Sequence, residues 1–216
     1  MIKVAPSLLA ANYMCFGSEI DKVIASGADC LHFDVMDGEF VPAITFGQGV
    51  AGFAAKKGID VDAHLMIVHP EKHISEFADS GVRYITVHQE AAGFELKNTL
   101  KAIRAAGCLA GVSVKPFTCV SSIEDVIEEV DLVLIMTVEP GKGGQKLIPF
   151  TIDKVREVRE MCVRHGVNPL IEVDGGINLE TADSVKKAGA NMLVAGSAFF
   201  KAEDPKEFVR LLKLEP

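Results

Sequence analysis

Eight short apolar segments, rich in β-branched residues, alternate along the chain with amphipathic segments of helical spacing. The apolar segments are Val4–Ser7, Cys30–Asp34, Val61–Met66, Tyr84–His88, Ala110–Val114, Leu132–Met136, Leu170–Val173 and Met192–Ala195. The helical segments are Gly17–Ala25, Gln48–Ala55, Pro70–Asp79, Leu96–Ala105, Val120–Glu128, Thr151–His165, Thr181–Lys187 and Pro205–Leu212. Strands that alternate with helices form parallel sheets, and eight such units close into a barrel that side chains can fill. The pattern therefore predicts an α/β fold, a single (β/α)₈ TIM barrel over residues 1–216.

A small residue followed by glycine recurs before four of the predicted strands. The four pairs are Ser26-Gly27, Ser80-Gly81, Ala106-Gly107 and Ala188-Gly189, at intervals close to multiples of one eighth of the chain. Glycine at this point suits the left-handed residue that ends a helix, so each pair marks one repeat of a strand–helix unit. An open doubly wound sheet is the alternative, but it needs a glycine-rich phosphate fingerprint after the first strand, and the segment 7–11 has none.

Composition and charge restrict the partners of the chain. The formal net charge is −8, which argues against a nucleic-acid-binding surface. No apolar run reaches the roughly 20 residues that cross a bilayer, and we expect neither a signal segment nor membrane association. The five cysteines form no C-x-x-C pair and are expected to be reduced thiols of a cytoplasmic protein. We also expect a homo-oligomer.

Polar side chains collect at the carboxyl ends of the predicted strands, which form the catalytic face of such barrels. His32 and Asp34 are two residues apart and therefore face the same side of the second strand. His64 and Asp174 end the third and seventh strands. Imidazoles and carboxylates that meet at the barrel mouth favour one divalent metal ion, Zn²⁺, Fe²⁺, Mn²⁺ or Co²⁺, without a choice among them. His88 and Glu90 end the fourth strand, where we expect them to be supporting residues of the site or polar residues of the core, and not metal ligands.

Glycine-containing turns follow the last two strands, at 174–178 and 195–198. Barrels often bind a phosphate between these two loops, through backbone N–H groups and a helix N-terminus. A third glycine-rich segment, 140–145, follows the sixth strand and could fold over a ligand. Because Asp174 directly precedes one of these turns, the metal and the phosphate of a small substrate would lie side by side at the barrel mouth.

These segments make the chain similar to the ribulose-phosphate 3-epimerase family. The matching segments are A-P-S-L-L at 5–9, H-F-D-V-M-D-G at 32–38, F-V-P at 40–42, H-L-M at 64–66, M-T-V-E-P-G-K-G-G-Q at 136–145, I-E-V-D-G-G-I-N at 171–178 and V-A-G-S-A at 194–198. The resemblance implies a metal-dependent epimerase of the pentose phosphate pathway. Such an enzyme inverts C3 of a ketose phosphate, converting D-ribulose 5-phosphate to D-xylulose 5-phosphate by proton transfer between two aspartates through a metal-bound enediolate.

The resemblance also implies roles for individual residues. It implies metal binding by His32, Asp34, His64 and Asp174, and acid–base catalysis by Asp34 and Asp174. The residues implied to bind the phosphorylated ketose are Ser7, Met36, His64, Met66, Met136, Gly141, Gly143, Gly144, Gly175, Gly176, Gly196 and Ser197.

Three loop residues depart from the family pattern and leave alternatives open. Glu39, Ala43 and Lys142 stand where histidine, asparagine and phenylalanine are common in the family. A six-carbon ketose phosphate such as D-allulose 6-phosphate is therefore a second candidate substrate. A different chemistry, a Schiff-base aldolase, would use Lys115 at the end of the fifth strand as its nucleophile. A relative that binds without catalysis is a third possibility, against which the complete histidine–aspartate cluster argues.

Overall fold

The strands of the computed structural model, which describes residues 1–216, form one parallel sheet. They are β1 (Lys3–Pro6), β2 (Leu31–Met36), β3 (Val61–Met66), β4 (Tyr84–His88), β5 (Leu109–Val114), β6 (Leu132–Met136), β7 (Leu170–Asp174) and β8 (Met192–Ala195). Their order in the sheet is β1-β8-β7-β6-β5-β4-β3-β2. A bridge between Ser7 and His32 brings the end of β1 beside β2 and nearly closes the sheet. The predicted barrel is confirmed.

Helices follow the strands around the barrel. The α-helices are α1 (Phe16–Ala25), α2 (Gln48–Lys56), α3 (Ile74–Asp79), α4 (Gln89–Ala92), α5 (Leu96–Ala105), α6 (Thr151–His165), α7 (Ala182–Ala188), α8 (Ser197–Phe200) and α9 (Pro205–Leu212). The glycines predicted to end helices, Gly27, Gly81, Gly107 and Gly189, all have positive φ, between 76° and 118°. Residues that carry a side chain rarely adopt a positive φ, which explains why glycine recurs at these helix ends. None of the helices combines the length and the apolar character that spanning a bilayer requires.

Two predicted helices differ from the structure. The segment Val120–Glu129 is a 3₁₀-helix, in which Val120, Ile123 and Val126 are buried at every third position and Ile127 is buried beside them. The segment Pro70–Asp79 divides into a 3₁₀ turn and α3, because His73 between them has φ −113° and ψ 0°. The short helices α4 and α8 were not predicted. Helix α8 begins directly behind the turn that follows β8.

The inward side chains of the strands include a polar group and an apolar group. Inward residues of β2, β3, β4 and β7 are buried and polar, and they are His32, Asp34, Asp62, His64, Thr86, His88 and Glu172. Inward residues of β6 and β8 are apolar, and they are Leu132, Leu134, Met136, Met192 and Val194. The opposite faces of the strands pack against the helices in the main apolar core. Because side chains alternate along a strand, the seven polar side chains named above all face the interior of the barrel.

Candidate active site

The carboxyl ends of the strands surround a cavity. Its lining includes Ser7, Asp34, Met36, Met66, Met136, Gly141, Gly143, Gly144, Asp174, Gly175, Gly176, Gly196 and Ser197. His32 and His64 lie below its floor and have no exposed surface. The structure thus brings every residue predicted for the site to one location at the carboxyl ends of the strands.

Four side chains converge at the floor of this cavity. One atom from each of His32, Asp34, His64 and Asp174 lies within 4.8 Å of the others. The register pairs Asp34 of β2 with His64 of β3, so their side chains lie side by side. Nδ1 of His64 is 3.1 Å from Oδ1 of Asp34 and 3.3 Å from Nε2 of His32. Nε2 of His32 is also 3.3 Å from Oδ1 of Asp34.

The hydrogen bonding of His32 leaves one of its nitrogens free for a cation. Nδ1 of His32 lies 2.7 Å from Oδ2 of Asp62 and donates its proton there, which leaves Nε2 as the ring nitrogen that faces the cluster. Metal–ligand bonds of about 2.1 Å at right or tetrahedral angles would separate the ligand atoms by about 3.0–3.4 Å, close to the distances among these atoms. The donor set and its spacing therefore fit a divalent metal ion.

His64 is held on its far side by two further residues. Nε2 of His64 lies 2.8 Å from Nε2 of His88, and Nδ1 of His88 lies 3.1 Å from Oε2 of Glu90. Oε1 of Glu90 accepts hydrogen bonds from the backbone N–H of Lys115, at 2.7 Å, and from the hydroxyl of Thr118. His88 and Glu90 do not line the cavity, in keeping with the supporting role predicted for them.

The other end of the cavity carries backbone donors. The N–H groups of Gly176, Ile177, Gly196 and Ser197 donate to no acceptor of the protein. Gly176 has φ +67°, and a Cβ there would lie 2.3 Å from the backbone nitrogen of Leu147, so only glycine lets the two loops approach this closely. Ser197 begins α8, whose N-cap has no side-chain hydrogen bond. Free N–H groups at two turns and at the start of a helix are suited to bind an anion.

Comparison with known proteins agrees with this geometry. Residues 3–200 match the Ribulose-phosphate 3 epimerase family. The chain belongs to this family. A ribulose-phosphate 3-epimerase of Bacillus subtilis (strain 168) is 47% identical over 97% of both chains. The chloroplastic ribulose-5-phosphate-3-epimerase of Arabidopsis thaliana is 44% identical over 98% of this chain and 76% of that protein. The predicted enzyme class, an isomerase of the epimerase type (EC 5.1.3), is confirmed.

Solved structures with low sequence identity share the fold of this family member. A 3-hexulose-6-phosphate synthase from Salmonella typhimurium superimposes with a TM-score of 0.74 at 21% identity, covering 98% of this chain and 96% of that one. A tryptophan synthase complex from Pyrococcus furiosus gives a TM-score of 0.67 at 17% identity, covering 98% and 99%. At these identities the likeness concerns the barrel architecture alone.

The two aspartates of this epimerase have opposite proton affinities. Burial alone would raise the pKa of Asp34, but the positive charge of His32 and its hydrogen bond to this carboxylate outweigh burial and lower the pKa well below the usual range. Burial raises the pKa of Asp174 to about 6, and the negative charge of Asp34 contributes to the rise. One carboxyl group is thus firmly ionised while its neighbour can hold a proton near neutral pH, as acid–base pairs in enzymes require.

The raised pKa of Asp174 predicts that Asp174→Asn stabilises the metal-free protein. A pKa of about 6 in the folded state, against 3.8 when unfolded, means that the ionised group costs folding up to about 3 kcal/mol above pH 6. This cost falls as the pH drops through 6 and vanishes below about 4, where both states bind the proton. Urea unfolding of chelator-treated protein should therefore show a more stable variant at pH 7.5 and no difference near pH 3.5. A variant less stable than the parent at pH 7.5 would contradict the raised pKa of Asp174.

Several supporting residues could not be recognised from the sequence. The hydroxyl of Thr137 donates to the carbonyl oxygens of Asp174 and Gly175, at 2.9 and 2.6 Å, and holds the turn after β7. Gln145 donates to the carbonyls of Glu139 and Lys142, which fixes the glycine-rich loop after β6. In the sequence, Thr137 and Gln145 are recognisable only as polar residues inside a segment that matches the family, and this does not reveal which groups they contact.

The residues on which the alternative substrate and the aldolase hypothesis depend lie mostly outside the cavity. Of the three departures from the family pattern, only Lys142 lines the cavity. Glu39 is exposed, and Ala43 packs against the small apolar cluster of Met36, Val41 and Met66. Nζ of Lys115 lies 3.8 Å from the centre of the Phe40 ring, and Lys115 does not line the cavity. This removes the geometric basis for a Schiff-base aldolase.

Proposed function

We propose that this family member inverts C3 of D-ribulose 5-phosphate to give D-xylulose 5-phosphate, with one bound divalent metal ion. The observation that carries the proposal is the pair Asp34 and Asp174, two adjacent carboxyl groups of opposite proton affinity beside two imidazoles. The names of the similar epimerases agree with this substrate.

Four residues would hold the ion, through Nε2 of His32, Nδ1 of His64 and the carboxylates of Asp34 and Asp174. When bound, a divalent ion supplies Lewis acidity that polarises the C2 carbonyl of the substrate and offsets the charge that develops on its oxygens. The surroundings of His32 favour positive charge at this point. Burial alone would lower the pKa of His32, but the carboxyl groups of Asp34, Asp62 and Glu172 raise it well above its usual value.

The proton transfer itself is assigned to the aspartates. In one direction, ionised Asp34 takes the proton from C3 as the C3–H bond breaks and its electron pair moves into the enediolate. Protonated Asp174 then delivers its proton to the opposite face of C3, and the roles reverse in the other direction. The hydroxyl of Ser7 donates to Oδ2 of Asp34 at 2.6 Å and fixes the orientation of this carboxylate.

The remaining cavity residues bind and enclose the substrate. Met36, Met66 and Met136 form an apolar, polarisable wall that limits access of water to the reacting carbons. The phosphate is assigned to the free N–H groups of Gly176, Ile177, Gly196 and Ser197, with the glycine-rich loop after β6 above it. Donors from the backbone allow a chain of net charge −8 to bind an anion without a basic patch.

A panel of ketoses tests the proposal. We expect the highest kcat/KM on D-ribulose 5-phosphate, a lower value on D-allulose 6-phosphate, and a loss of about 10³-fold or more on unphosphorylated D-ribulose, which lacks the remote binding energy of the phosphate. Metal analysis of the same preparation should give one divalent ion per chain. A higher kcat/KM on D-allulose 6-phosphate than on D-ribulose 5-phosphate would contradict the proposed substrate and identify the six-carbon ketose phosphate in its place. The cytoplasmic location and the homo-oligomeric state stay predictions.

A further inference from the structure

A chain of hydrogen bonds leads from His64 away from the cavity to a partly exposed carboxylate. His64 and His88 are fully buried, whereas the side chain of Glu90 is 21% exposed. His32 has no such chain, because Asp62 contacts it directly and is itself buried. The two imidazoles of the site are therefore oriented in different ways, one by a buried carboxylate and one by a relay that reaches the surface.

The positions of the donors decide where each proton in this relay lies. The backbone N–H of Lys115 can only donate, so Oε1 of Glu90 accepts there, and Oε2 is left to accept the Nδ1 proton of His88. A neutral His88 then presents a lone pair at Nε2. Because this atom lies 2.8 Å from Nε2 of His64, the proton between them must belong to His64. Nδ1 of His64 is thereby left to face Asp34 and the cavity floor.

We propose that Glu90 is a positioning residue that sets the tautomer of His64 through His88, and thereby sets the affinity of the site for its divalent ion. This inference rests on the proposed function in taking His64 as a metal ligand. Residues that orient metal-binding histidines in this way typically contribute 10–100-fold to metal affinity. Here the effect would pass through an intervening imidazole, from a residue that touches neither the ion nor the substrate.

The substitution Glu90→Gln reverses the relay while keeping its shape. The amide oxygen must stay on the N–H of Lys115, so the amide nitrogen faces His88 as a donor. Nδ1 of His88 becomes an acceptor, its proton moves to Nε2, and that proton now points at Nε2 of His64. His64 can accept it only by carrying its own proton on Nδ1, the atom that would bind the ion.

Two measurements test this reversal. In the metal-free protein, long-range ¹H–¹⁵N correlation spectra should show the Nδ1–H tautomer of His88 in the parent and the Nε2–H tautomer in Glu90→Gln. Competition with a fluorescent chelator should show Zn²⁺ and Mn²⁺ binding weakened about 10- to 100-fold in the variant. An unchanged tautomer of His88, or a dissociation constant within about threefold of the parent, would overturn the inference.

Matched variants separate the relay from simple loss of charge. Glu160→Gln removes an exposed carboxylate on α6, outside the cavity, so metal affinity should change by less than about threefold. In a His88→Phe background, which removes the relay nitrogens, Glu90→Gln should have no further effect on metal affinity, provided that circular dichroism shows a folded barrel. An equal effect of Glu90→Gln in both backgrounds would also overturn the inference. A parent protein that binds no divalent ion would refute the proposed function instead, and the His88 tautomer would still report on the relay.

Discussion

Asp174→Asn and Asp34→Asn should each lower kcat about 10³-fold or more while the barrel stays folded. Asparagine has nearly the same shape as aspartate, but its amide can neither take nor return a proton near neutral pH. Each aspartate is assigned to one face of C3, so neither can perform inversion alone. Because Asp34 and Asp174 are also assigned as metal ligands, activity must be measured with saturating metal and with occupancy confirmed in each variant.

Exchange with deuterated solvent gives a sharper test of the same assignment. In the parent, deuterium should enter C3 of both epimers. In each variant, the remaining aspartate still serves its own face, so only one epimer should exchange, and the epimer should differ between the two variants. Asp153→Asn, at an exposed position on α6, is the matched control and should leave turnover unchanged. Near-normal turnover in either active-site variant would refute the acid–base assignment.

The same aspartate links activity to stability. The environment that lets Asp174 hold a proton near neutral pH also makes its ionised form unfavourable in the metal-free fold. Asp174→Asn is therefore expected to be inactive and yet more stable without metal, a combination that a merely structural role for Asp174 would not produce. Stored strain of this kind is common where catalysis requires a perturbed group.

The barrel and the convergence of the site followed from short-range patterns in the sequence. The spacing of His32 and Asp34 placed both on one face of a strand, and the position of His64 and Asp174 at strand ends placed them on the same side of the barrel. These predictions needed only the period of a strand and the direction of a parallel sheet. They succeeded because the eight units repeat with little insertion, so the ends of the strands could be located closely.

Features of the site that depend on contacts between residues distant in sequence could not be predicted from such short-range patterns. The pKa difference between Asp34 and Asp174 depends on burial and on the charges that surround each group, neither of which follows from spacing. The contact of His88 with His64 depends on the register of β3 and β4, and the bond from Lys115 to Glu90 joins the ends of two strands. The 3₁₀-helix at 120–129 depends on its packing against the barrel, since residues of the same types also occur in α-helices.

Removal of the divalent ion should abolish turnover, by about 10³-fold or more, and stoichiometric addition should restore it. Without the ion, the carboxylates of Asp34 and Asp174 lie within 4.8 Å of each other, and the charge that develops on the substrate oxygens lacks the counter-charge of a metal. Treatment with a chelator, followed by dialysis and titration with Zn²⁺, Mn²⁺, Fe²⁺ and Co²⁺, measures this dependence and identifies the ions that support activity.

Variants of the two histidines test whether the loss of turnover on metal removal arises at the proposed metal site. His32→Gln and His64→Gln should each bind the ion more weakly and require excess metal for any turnover, because each removes one of four ligands. His73→Gln removes a histidine that is 45% exposed and pairs only with Glu76, and it should match the parent in metal content and in kcat. Full activity in chelator-treated protein that contains no detectable metal would refute the metal assignment.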